Sequence, residues 1–241
     1  MKQKKILLLQ ARKEHDPMIL HEKLCFSKQL KNTAIDTLDV IRDQIYLADL
    51  QKYDGFIIGG SGDFSVARGG PWLSKVLDLM EYLYDNNKIT FASCWGFQIM
   101  AKAKGGDVQT NLSQAELGTT KLWLTDQGKC DKIFKNLPSF FFAQMGHEDI
   151  VTKLPKDAIL LASSEKVKNQ AFCFKKKPIY CTQFHPELTK NDIKKRMKIY
   201  PQYIEKILGI TQQEFIEKRC FEVKDTNNLI NSFFKEHWDF K

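Results

Sequence analysis

Cys94 stands in the stretch Ala92-Ser93-Cys94-Trp95-Gly96, between an apolar run at 88–93 and an apolar-periodic run at 95–103 that Gly105-Gly106 ends. The first run reads as a buried strand and the second as a helix. A side chain at a strand-to-helix turn projects beyond the carboxyl end of a sheet, where such folds bind ligands. The helix N-terminus favours thiolate over thiol, and thiolate is the nucleophile. A tight turn also needs small neighbours. Ala92 and Gly96 supply them in the small-x-nucleophile-x-small pattern of a nucleophile elbow. A packed core thiol is the alternative reading of the same residue.

A cysteine nucleophile needs a base and a group that orients the base. Of the five histidines at 15, 21, 147, 185 and 237, His185 ends the apolar run 178–184 and is followed by Pro186 and Glu187. Side chains at i and i+2 of an extended backbone point the same way, so the Glu187 carboxylate can reach the imidazole. Pro186 stiffens the pair. A His-Pro turn without a catalytic role fits the same residues. Acyl chemistry also needs donors for an oxyanion. The backbone N–H of Trp95 is one, and the loop Gly59-Gly60-Ser61-Gly62, after the apolar run 54–58, offers a second. Glycines let a backbone come close to a substrate. A phosphate nest is the alternative, although neither Walker nor dinucleotide-fingerprint spacing is present.

The elements that must position these residues follow from the periodicity. Strands are predicted at 5–10, 37–41, 54–58 and 88–93. Helices are predicted at 17–30, 71–83 and 95–103. The alternation argues for an α/β fold with an open, mostly parallel twisted sheet and helices on both faces. From 107 to 184 the pattern turns mostly to strands, with runs at 120–125, 139–144, 158–163, 170–174 and 178–184. Residues 191–241 read as amphipathic helices that either cover a sheet face or form a homodimer contact. The expected organisation is a body at 1–190 and a helical extension at 191–241 packed on the same domain.

Composition narrows the function classes. The 241 residues are 43% hydrophobic, which allows a sizeable core and argues against disorder. No run of ~18 apolar residues exists, so no membrane helix is expected. The first apolar stretch is only 6–9 with charges right after it, which reads as a strand rather than a signal peptide; a cytoplasmic location is the expectation. The net charge is +8, but the lysines are spread and alternate with acids. Only Lys175-Lys176-Lys177 is dense, at what reads as a hairpin tip. A solvated lysine-rich surface is therefore expected, not a nucleic-acid partner. Six scattered cysteines without a CxxC pair are neither a disulfide framework nor a zinc spacing. Cys173 and Cys181 lie in apolar runs and read as core thiols.

SCWGFQ around Cys94, QFHPE around His185 and Glu187, and GGSG after DGFII, in that order and spacing, resemble the class I, triad-type glutamine amidotransferase family over about residues 4–188. Glu116-Leu117-Gly118, His147-Glu148-Asp149-Ile150-Val151 and DPMILHEKLCF make it look like stand-alone members similar to the glutaminase domain of GMP synthase. The resemblance implies a flavodoxin-like fold and a mechanism without cofactor or metal. Cys94 would attack the side-chain amide carbon of a glutamine-like donor. His185 would take the thiol proton and serve the leaving ammonia, and Glu187 would orient His185. Gly60 and Trp95 would bind the oxyanion through backbone N–H groups, with Gly59 in the same loop. Gln98 would contact the donor.

Three positions depart from the family pattern. Ala92 stands where the elbow usually has Gly. Ser61 stands where the oxyanion loop usually has the Pro of Gly-Gly-Pro. Glu148 stands where a clamping segment such as His-Gly-Asp has Gly, which resembles members acting on γ-glutamyl peptides. His147 with Asp149 would then clamp the donor's α-amino end; a loop histidine packed on the sheet is the alternative. Trp95 walls the donor pocket or packs under the elbow. The expected activity is release of ammonia from glutamine through a thioester, with a partner synthetase chain as acceptor. A γ-glutamyl peptidase, and a non-catalytic regulatory protein of the same fold, are the competing readings.

Overall fold

The computed structural model describes residues 3–238. Five strands form a parallel half-sheet: β1 (Lys4–Gln10), β2 (Thr33–Asp39), β3 (Gly55–Ile58), β4 (Thr90–Ser93) and, from much later in the chain, β11 (Ile179–Thr182). β3, β4 and β11 are buried at every residue, as expected of strands covered on both faces, whereas the edge strand β2 buries only Ile35. The connecting helices are α1 (Met18–Gln29), α2 (Leu73–Asp85) and α3 (Trp95–Ala103). Between α3 and β11 the chain makes β5 (Asp107–Thr110), β6 (Glu116–Leu124), the short α4 (Asp126–Cys130), β7 (Phe140–His147), β8 (Asp149–Lys153), β9 (Ala158–Ser164) and β10 (Ala171–Phe174). Four of these add an antiparallel half, giving the order β2-β1-β3-β4-β11-β10-β9-β6-β7, while β5 and β8 pair separately. The expected α/β sheet is present. The second strand runs 33–39 rather than 37–41. β5 and β8 escaped the reading because they are short and half polar, DVQT and DIVTK.

Register positions the site. Ile58 lies opposite Ala92, and Ser93 lies opposite Thr182. The carboxyl ends of β3, β4 and β11 therefore finish side by side, and the residues that follow each of them meet at one edge.

Two apolar cores flank the sheet. One holds Phe26, Phe91, Phe141 and Phe184; the other holds Leu79, Met80, Trp95, Phe97 and Phe172. The tail forms α5 (Lys190–Ile199), α6 (Gln202–Leu208), α7 (Gln212–Lys218) and α8 (Leu229–Trp238). α5 and α7 begin with capping boxes, Thr189 with Asp192 and Thr211 with Glu214. Gly209, at φ 64°, ends α6. α8 covers a sheet face: Phe233 packs on Phe91 and Tyr180 with ring centroids 5.5 and 5.4 Å away. α5 to α7 do something else. Ile193, Met197, Ile204 and Phe215 close a third cluster with Cys25 of α1 and Leu117 of β6, which sets them over the carboxyl edge of the sheet.

Candidate active site

Cys94 caps α3 with φ 54° and ψ −101°. For a residue with a Cβ this is a strained conformation, of order 1–3 kcal/mol, that persists only when its surroundings fix it. Here the Cys94 N–H donates to Thr182 O at 2.8 Å. Gly96 lets α3 press on β3: a Cβ there would lie 2.5 Å from Ile58 O. Cys94 is 4% exposed, and its thiol donates to Gly146 O at 3.5 Å.

His185 lies three residues past β11. The segment 185–188 is a turn closed by Leu188 N–H to His185 O, not the extended run expected. The pairing still forms: His185 Nδ1 is 2.7 Å from Glu187 Oε1. The Ser93 hydroxyl donates to Glu187 Oε2 at 3.1 Å. Cys94 and His185 flank Gly60, where a Cβ would meet His185 Cε1 at 3.0 Å and Cys94 Cβ at 3.8 Å. Glycine at this position leaves room for both side chains beside the loop. Burial alone would lower the His185 pKa, but the Glu187 carboxylate and the Cys94 sulfur outweigh it and hold the ring up to about 9. Burial would raise the Glu187 pKa; His185 and Arg196 outweigh that and hold it below the usual carboxylate range.

The cleft above Cys94 measures about 840 Å³, its open mouth included. Trp95 and Gln98 line it. Trp95 also packs on Trp72, with ring centroids 5.6 Å apart, so it both lines the cleft and belongs to the core under the elbow. Gln98 Nε2 is committed to Asp149 O at 2.9 Å and Gln183 Oε1 at 3.2 Å. Both ring nitrogens of His147 are engaged, with Glu116 Oε2 at 3.1 Å and Asp149 O at 3.2 Å. The Asp149 carboxylate takes Ser65 Oγ, Ala67 N–H and Thr110 Oγ1 at 2.7, 3.1 and 2.6 Å. This pair braces the cleft wall instead of presenting free groups to it. Between them, Glu148 pairs with Lys206 of α6 at 2.5 Å, and its other oxygen is buried in the cleft without a hydrogen-bond partner.

The glycine loop differs from expectation in one respect. The Gly60 N–H does not face Cys94; it donates to Glu22 Oε1 of α1 at 2.9 Å. Gly59 lies behind it, with its N–H on Leu9 O and its carbonyl on Gly96 N–H, both at 3.0 Å. Among the described residues the amides of Ser61 and Trp95 have no acceptor, and both residues line the cleft.

Several site groups had no clear sequence signal. Arg196 of α5 lies in the polar run IKKRMKI, yet it is 6% exposed and reaches Glu187 Oε1 at 3.6 Å and His185 Nδ1 at 3.5 Å. Its neighbours Ile193 and Met197 mark the buried helix face that could have drawn attention to it. The Tyr203 hydroxyl of α6 donates to Gly62 O in the glycine loop. As for metal-ligating types, His21, Cys25 and Asp192 place one ligand atom each within 4.8 Å of one another, all buried. Hydrogen bonding accounts for them: His21 Nε2 is 3.2 Å from Asp192, which also caps α5, and burial pushes the Cys25 thiol up to about 12.

Comparison with known proteins identifies the family. The family model for glutamine amidotransferase class-I matches residues 18–199. A GMP synthase [glutamine-hydrolyzing] from Petrotoga mobilis is 30% identical over 193 residues, 77% of this chain; the chain spans only 37% of that protein. Gamma-glutamyl peptidase 3 from Arabidopsis thaliana is 30% identical over 175 residues, covering 70% of this chain and 67% of the relative. A glutamine amidotransferase structure from Thermotoga maritima superposes over 98% of both chains with a TM-score of 0.77 at 23% identity, a likeness of fold. Elbow, glycine loop and His-Pro-Glu turn lie on the matched segment, and this chain belongs to the class-I glutamine amidotransferase family.

Proposed function

We propose that the chain cleaves the γ-glutamyl amide of a small donor through a Cys94 thioester. The observation that carries the reading is the grouping of an elbow cysteine with a Glu187-paired His185 at the floor of the cleft. The Cys94 sulfur attacks the amide carbon. The C–N bond breaks, and His185 delivers the proton that leaves with the amine. A water, deprotonated by His185, then hydrolyses the thioester. Glu187 orients the ring and balances its charge, in the role the third member plays in such triads. The amides of Trp95 and Ser61 are the open oxyanion donors. The unpartnered Glu148 oxygen is the acceptor for the donor's α-ammonium.

Glutamine is the donor that fits the family, with ammonia passing to a synthetase partner. A relative from Thermoplasma acidophilum that is itself one subunit of a GMP synthase [glutamine-hydrolyzing], 31% identical over 163 residues, supports such an arrangement. The second reading, a γ-glutamyl peptidase, is favoured by the cleft roof. Leu117, Ile193, Met197 and Ile207 give it an apolar side suited to a leaving amine larger than ammonia. Intact-protein mass spectrometry with glutamine and with a γ-glutamyl dipeptide tests both, with released ammonia and amine measured in the same tubes. A γ-glutamyl adduct or product release that Cys94→Ala abolishes is expected, and the better donor selects the reading. Neither adduct nor release from either donor would sink it.

A further inference from the structure

The Gly59–Gly60 peptide is held at both ends. Its carbonyl accepts from Gly96 N–H at 3.0 Å, and its N–H donates to Glu22 Oε1 at 2.9 Å. Glu22 is fully buried, and a lone buried carboxylate would be costly. It is instead saturated: Arg12 Nη2 donates to Oε1 at 2.9 Å, Arg12 Nε to Oε2 at 3.4 Å, and Gln10 Nε2 to Oε2 at 2.9 Å. Arg12, itself 3% exposed, also reaches Asp16 at 3.5 Å. The carboxylate sits hard against the loop, since a Cβ on Gly59 would lie 2.6 Å from Glu22 Oε1. The loop then turns back on itself, with the Ser61 hydroxyl accepting from the N–H groups of Asp63 and Phe64. The amide left open at the cleft is that of Ser61.

We propose that Glu22 is a positioning residue for the reaction proposed above. By anchoring the Gly60 N–H it fixes the orientation of the next peptide, so that the Ser61 amide, with that of Trp95, receives the oxyanion of the acyl-transfer steps. Glu22 touches no reacting atom; it acts through the loop. The inference rests on the thioester reading, because the tetrahedral intermediates of that acyl transfer are what place charge on the carbonyl oxygen.

That distinction supplies the test. Alkylation of Cys94 by iodoacetamide displaces iodide from a saturated carbon and forms no oxyanion. Glu22→Ala removes the anchor. Because it leaves Arg12 buried with Asp16 alone, Arg12→Met/Glu22→Met is made beside it, removing both charges together. Glu22→Gln, which keeps an acceptor oxygen for Gly60, is the rescue. Loss of one oxyanion donor costs about 100-fold in kcat, so a fall of that order is expected in the folded anchor-less variants, with the iodoacetamide rate unchanged and most of kcat restored in Glu22→Gln. A folded anchor-less variant with wild-type kcat would overturn the inference. So would a parallel loss of kcat and alkylation, which would make Glu22 a support of the whole cleft. Wild-type protein that releases nothing from glutamine or a γ-glutamyl dipeptide would strike the thioester reading itself, and the role of Glu22 with it.

Discussion

His185 carries the pH dependence of the site. Its pKa rises from 6.5 to about 9 because Glu187 and the Cys94 sulfur outweigh the burial that lowers it. A group whose pKa rises on folding contributes its stability in full below the unfolded value and loses it as pH climbs through the folded value. Stability from this group is therefore complete below pH 6.5 and lost toward and past pH 9. In Glu187→Gln the largest raising influence is gone, so the His185 midpoint, followed by NMR, should fall by at least one unit. Urea midpoints should then lose their decline across the same window. A midpoint that stays near 9 would contradict the pairing. Cys94 was legible because it stands where a strand meets a helix, and His185 because it follows a strand; the contact with Glu187 was reasoned from extended backbone but forms in a turn. The direction of the Gly60 amide was not legible: a glycine-rich loop can present either face, and the choice is made by Glu22, 38 residues away.

Among the elements, the inner strands β1, β3, β4 and β11 were readable because strands buried on both faces appear as apolar runs, whereas the exposed edge strand β2 was misplaced. The tail was read as helices, but amphipathicity says only that one face is covered, not by what. α8 continues the core, whereas α5 and α6 roof the cleft. α5 is held by Asp192 to His21, Arg196 to Glu187 and, just past its end, Tyr200 to Asp16; α6 is held by Tyr203 to the Gly62 carbonyl and Lys206 to Glu148. Tyr203→Phe/Lys206→Ala should loosen it without unfolding the sheet. The expected sign is a several-fold rise in the alkylation rate of Cys94 by a bulky maleimide, with a much smaller rise for iodoacetamide, since an exposed ion pair contributes only about 0–1 kcal/mol. Equal acceleration by both reagents would mean that the change reaches Cys94 itself.

At the scale of the molecule, the cleft is roofed by the protein's own chain, which suits a small donor rather than a macromolecular one. Glutamine or a γ-glutamyl dipeptide should be turned over, while glutamine side chains on the surface of a folded protein should release no ammonia; release at a comparable rate would mean that the roof opens widely. The order of the parts along the chain matters during synthesis as well. Cys94 is made first, after β3 and before α3, and the Thr182 carbonyl that takes its N–H comes much later. His185 follows, joined to the sheet through β11 and by its N–H to Gln144 O of β7, and the roof from Lys190 to Leu208 comes after it. While the later residues are still in the ribosome, the growing chain holds a cysteine with neither base nor cover. The proposed reaction therefore needs residues made about ninety positions after Cys94, and until they fold the growing chain carries a thiol open to oxidants.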